Sequence, residues 1–128
     1  MNTHTLEQQS PPIYLNLRVL LQRESDREQE KWVAQCLEYD IAAQGQSLSE
    51  VKSRFERTIM GNIVLSLEHD EFPFANLLPA PEQYYRLWET ASPLQDTLPM
   101  NLPSNRVPVN ARDFPSRVPR GQALLRVA

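Results

Sequence analysis

The chain has one cysteine, Cys36, in 128 residues, which excludes an intramolecular disulfide framework and any zinc site built on several thiolates. Glycine occurs three times, at Gly45, Gly61 and Gly121, too widely spaced for a phosphate-cradling loop. Two histidines, His4 and His69, form no HxH, HxxxH or HExxH spacing, so no histidine-based metal site is indicated. No serine lies in GxSxG or SxxK, the settings that activate a hydroxyl nucleophile. No apolar run approaches the ~18 residues of a membrane span, and the first twelve residues lack the basic-then-apolar pattern of a secretory signal. Charge of one sign is missing too: 13 Lys+Arg against 16 Asp+Glu give −3, so a whole-surface electrostatic grip on nucleic acid is not expected. These absences leave a small, soluble, cytoplasmic domain, with no enzyme activity, cofactor, metal or membrane contact expected.

Charge and proline are uneven along the chain. Residues 1–95 carry 8 Lys+Arg against 14 Asp+Glu, whereas 96–128 carry five arginines against Asp96 and Asp113. Six of the eleven prolines fall between Pro93 and Pro119, and proline interrupts helices and central strands alike. Residues 1–10 therefore read as a flexible start, 11–92 as an α+β domain, and 93–128 as an extended Pro/Arg-rich tail adding little to the core.

Within 11–92, Ile13, Leu15, Leu17, Val19 and Leu21 alternate with Tyr14, Asn16, Arg18, Leu20 and Gln22, the period of a strand with one buried face. Glu24 to Glu30 is polar throughout and reads as an exposed loop. Trp32, Ala34 and Cys36 mark a second strand, Glu38-Tyr39-Asp40 a turn, and Ile41 to Gln44 a third strand. Short connections favour antiparallel neighbours. Ser47-Leu48-Ser49-Glu50 is a capping box. Leu48, Val51, Phe55, Ile59, Ile63 and Leu67 then form one helical face running to about His69. Gly61 on this helix suggests close approach of helix to sheet. Pro81 opens a second helix over 81–91, with Tyr84, Trp88 and Ala91 on one face. The expected fold is a three-stranded antiparallel sheet packed by one long helix, with a short second helix.

Candidates for chemistry are few. Cys36, on the face of Trp32 and Ala34, reads as a packed core thiol. Glu38, Asp40 and Glu56 lack a carboxylate in the first strand to complete a two-metal site. The candidate contact residues are the aromatics Tyr84, Tyr85 and Trp88 and the tail arginines Arg106, Arg112, Arg117 and Arg120. Arginine suits phosphate and acidic protein surfaces equally.

The run Lys31 to Asp40, followed by Ala43-Gln44-Gly45-Gln46-Ser47-Leu48-Ser49-Glu50 and an amphipathic helix, resembles the HicB-like antitoxin fold over about residues 13–69. Its sharpest match is the Gln44-Gly45 junction with the capping box. The resemblance implies a truncated RNase-H-like domain without the nuclease site, which covers the catalytic surface of a small messenger-RNA-cleaving toxin. Glu24 to Glu30 replaces the family's Asp-Gly turn, Leu37 to Ile41 replaces its Pro and Gly-Cys turn, and the DNA-binding C-terminal module is replaced by prolines. The expectation is therefore a stand-alone protein-binding module, antitoxin-like, whose partner is a small toxin-like protein or a second copy of itself. The alternative is a nucleic-acid-binding accessory acting through the tail, with nucleic acid the less favoured partner.

Overall fold

The computed structural model describes residues 12–26 and 29–128, so the expectation for residues 1–10 lies outside it. The elements in chain order are β1 (Tyr14–Asp26), β2 (Gln29–Cys36), β3 (Ala42–Gly45), α1 (Leu48–Glu68), α2 (Glu82–Thr90), β4 (Ser92–Pro93), β5 (Leu98–Pro99), three single turns of 3-10 helix, and β6 (Arg120–Val127). The class is α+β, with a mixed sheet in the order β3-β2-β1-β6-β4, and β5 also on the outer edge of β6. Among the described residues no helix is long and apolar enough to cross a membrane.

The antiparallel β1–β2–β3 meander is present, with Val19 opposite Cys36 and Ala34 opposite Ala43. Period-2 alternation fixes its faces. Leu15, Leu17, Val19, Leu21, Ala34, Cys36 and Ala43 share one buried cluster with Val51, Phe55, Ile59, Met60, Ile63 and Leu67 of α1. The Ser47 hydroxyl accepts from the Glu50 amide at 3.1 Å, as the capping box requires. Glu50 does not return to Ser47; its carboxylate pairs instead with Arg54, one turn on, at 2.8 Å. Gly45 seats the end of β3 against the first turn of α1, where a Cβ would lie 2.7 Å from the Val51 amide nitrogen.

Three expectations change. Residues 24–26 and 29–30 are not a loop, because β1 and β2 continue as a paired ribbon to Asp26 and Gln29. No core supports this ribbon; cross-strand ion pairs Arg23–Glu30 and Lys31–Glu24 line it, which is why hydrophobic alternation does not reveal it. Gly61 is exposed with nothing within 4 Å of a would-be Cβ, so it marks no close approach of helix to sheet.

The largest change concerns 93–128, which is not an extended tail. β6 lies parallel to β1 over eight residues, from Tyr14 opposite Arg120 to Leu21 opposite Val127. Gly121, Ala123 and Leu125 face the main core and are buried. The prolines sit where they do little harm: Pro93 and Pro99 in the two-residue edge strands β4 and β5, and Pro103, Pro108 and Pro115 at the starts of the 3-10 turns, consistent with their missing amide and fixed φ. After Pro119 there is none. Polar ties fasten this segment to the C-terminus of α1. Asn110 donates to the Leu67 carbonyl at 2.8 Å, and Asp70, in the left-handed region at φ 53, accepts from Asn110 and Arg117 at 3.0 Å each. Met100 and Ala111 are each 1% exposed, so the segment closes the core.

Two outcomes follow for stability. A chain ending at Ser92 loses β6 and exposes one edge of β1 with its apolar face; no cooperative thermal transition is expected for it, and a melting midpoint near that of the full chain would refute the placement of β6. The glycines should behave oppositely. A Cβ at Gly121 overlaps the Leu15 carbonyl, so Gly121→Ala should cost about 3 kcal/mol. Gly61→Ala should instead stabilise by about 0.5–1 kcal/mol, both read from urea midpoints.

Candidate functional site

The second face of the sheet is built from the residues between the core positions. Arg18, Leu20 and Gln22 of β1 lie beside Leu124 and Arg126 of β6 and across from Val33 and Gln35 of β2. α2 covers only part of this face. Leu20, Leu37, Trp88 and Ala91 form a second, smaller buried cluster with Tyr84 and Tyr85 packed against it. Two arginines fasten α2 from the sheet. Arg126 places its guanidinium 4.5 Å from the Trp88 ring centroid and donates to the Trp88 carbonyl at 2.9 Å, a cation at a helix C-terminus. Arg18 lies 5.2 Å from the Tyr85 ring centroid. Its Nε donates to Glu38 Oε2 and its backbone amide to Glu38 Oε1, each at 2.6 Å. The Tyr85 hydroxyl donates to the Leu37 carbonyl at 2.5 Å. Burial, and secondarily the Glu38 charge, push the Tyr85 phenol above its ordinary range.

The remainder of the face is open. Tyr14 is 60% exposed and Leu124 47%, and they flank Asn16 and Gln122, which are opposite each other in register. The fixed Arg18 lies directly across from Leu124. This strip joins Tyr14, Asn16, Gln122, Leu124 and Arg18 into one surface with an aromatic, an aliphatic and a held guanidinium.

The expected contact residues are not gathered in one place. Trp88 is 6% exposed and serves packing, while Tyr84 and Tyr85 are half-buried at the edge of the open strip. The tail arginines diverge. Arg117 pairs with Asp70 at 3.0 Å and lies over the Phe114 ring. Arg106 lines a recess against Ser53, Glu56 and Met60 of α1. Arg112 and Arg120 both line another recess, of about 510 Å³, walled by Leu102, Val107, Pro115 and Val118. The arginines thus form no continuous basic arm. Tyr14, Arg18 and Leu124 were not singled out from the sequence. The signal was there: Tyr14 and Leu20, large and apolar, occupy the nominally solvent-facing register of β1, which indicates a partly covered second face.

The carboxylates nearest the turn are engaged by the fold, Glu38 by Arg18 and Asp40 by the buried Gln35 side chain at 2.9 Å. Among the described residues no group of three or more His, Cys, Asp or Glu is disposed to hold a metal ion. Comparison with family models, with curated proteins and with solved structures finds no match.

Cys36 faces the main core and is fully buried. Desolvation raises its pKa from 9.0 to about 11, against smaller lowering contributions from the backbone at Tyr39 and Glu38. Its thiol should react with a thiol reagent only as fast as the protein unfolds. Because the folded-state pKa is raised, its contribution to stability is complete below about pH 9 and is lost as pH rises toward 11, on the order of 2 kcal/mol. Denaturant titrations of parent and Cys36→Ala at pH 8 and pH 11 should differ by that amount; a pH-independent difference would refute the assignment.

Proposed function

We propose that the protein is a non-enzymatic protein-binding module, antitoxin-like in the HicB sense, which engages a small partner protein through the open half of its second sheet face. The carrying observation is the strip of Tyr14 and Leu124, 60% and 47% exposed, beside an arginine already fixed by Glu38 and Tyr85. Aromatic and arginine side chains dominate contact energies at interfaces, and a side chain ordered before binding loses less entropy on association. α2 limits the strip on one side, so a partner helix or loop of modest size fits beside it. The HicB-like reading is further supported by the antiparallel β1–β2–β3 order leading through Gly45 and Ser47 into α1, the succession with which RNase-H-like folds begin. The scattering of the tail arginines among separate partners favours a protein over nucleic acid.

The test is co-expression with the product of each neighbouring gene, followed by size-exclusion chromatography and titration of any purified pair. A stable complex is expected, and Tyr14→Asp or Leu124→Asp should each weaken it at least about tenfold with the melting midpoint unchanged. Variants that bind as the parent does would remove the strip from the interface. Binding to RNA or DNA that falls steeply with salt, or metal-dependent cleavage of RNA by the purified chain, would overturn the reading.

A further inference from the structure

The recess at the start of β6 is assembled wholly from residues 101–120, the part of the chain that carries the positive charge. Its walls are Leu102, Val107, Pro115 and Val118, and Arg112 and Arg120 are its charged groups; no acidic residue lines it. The Arg112 Nε donates to the Val107 carbonyl at 3.1 Å, which fixes the side chain. The Arg120 backbone amide donates to the Ile13 carbonyl at 3.0 Å, and its guanidinium pairs with no carboxylate among the described residues. Arg112 and Arg120 thus both line an apolar recess of about 510 Å³, within the size range of small-molecule sites. A planar fork of N–H donors matches a carboxylate in charge and geometry, and the apolar walls favour a hydrocarbon body behind it.

We propose that this recess binds an apolar carboxylate, with the carboxylate on Arg112 and Arg120 and the hydrocarbon body against Leu102, Val107 and Val118. A free organic acid and the C-terminal carboxylate of a peptide with apolar side chains share this chemistry. Arg120 lies opposite Tyr14 in register, so the recess adjoins that end of the strip; Leu124→Asp, at the other end, tests the protein-binding reading without touching a recess residue.

The experiment titrates the full chain with octanoate, with 1-octanol, and with an N-acetylated Ala-Val-Leu tripeptide as free acid and as amide, followed by methyl NMR. Octanoate or the free-acid tripeptide should shift the Val107 and Val118 methyls at millimolar concentration, and whichever binds more tightly identifies the source. The uncharged analogue of each, octanol or the amide, should bind at least about tenfold more weakly. Arg120→Gln should lower affinity about tenfold with an unchanged melting midpoint, and Arg120→Lys should recover part of it. Equal binding of acid and neutral analogue, indifference to Arg120→Gln, or no shift of these methyls with either acid would each overturn the proposal.

Discussion

The structure depends on β1 being paired along both edges, antiparallel to β2 and parallel to β6. Residues 19–21 are hydrogen-bonded on both sides, and Val19, Leu20 and Leu21 are completely buried, the centre of the molecule in every direction. A parallel neighbour cannot be joined by a tight turn; it requires a long crossover. Here the crossover is everything from β2 to the 3-10 turns, so the last strand completes the core that the first strand began. Gly121 is the point of closest approach, since the Leu15 backbone occupies the space of its missing Cβ. Both helices owe their seats to this pairing. α1 rests on a face that includes Ala123 and Leu125, and α2 on one where Arg126 holds its final turn.

β1 is consequently longer than the sheet it anchors. β6 accompanies residues 14–21 and β2 accompanies 19–26, so the two partners overlap only at the middle. The far end projects as a ribbon held by exposed ion pairs, each worth little in water. The near end presents Tyr14 and Asn16 beside Gln122 with no helix above them. The offset between the two pairings therefore creates the open strip: α2 sits over the overlap, where Leu20 and Leu37 need cover, and reaches no further.

How much of this was legible follows from which physical signal each element carries. The alternation Leu15-Leu17-Val19-Leu21 and the spacing Val51-Phe55-Ile59-Ile63-Leu67 express burial on one face and survive intact. β6 carries the same signal in Gly121-Ala123-Leu125, but its small residues and the prolines preceding it disguise a central strand as a tail. Six prolines in a window argue against regular structure only if they fall inside it, and all six precede Arg120. The ribbon beyond the Arg23–Trp32 pair has no apolar side to detect. Of the site, the arginines were visible as a cluster in sequence but not in space, because a chain that turns through three 3-10 segments sends successive arginines to different surfaces.

That dispersal also explains the electrostatics of the C-terminal segment. Its five arginines stand against two acids in sequence, yet the fold matches two of the five to groups outside the segment. Arg117 is taken up by Asp70, at the end of α1, and Arg126 by the ring and carbonyl of Trp88. These two fasten the segment to the rest of the molecule, one on each face of the sheet. Arg112 and Arg120 are not needed for that, and both line an apolar recess without an ion-pair partner among the described residues. Structural ties were made with the arginines that register and turn geometry placed next to acceptors. The positive charge left at the recess is the remainder of that selection, and it lies beside walls that are mostly apolar.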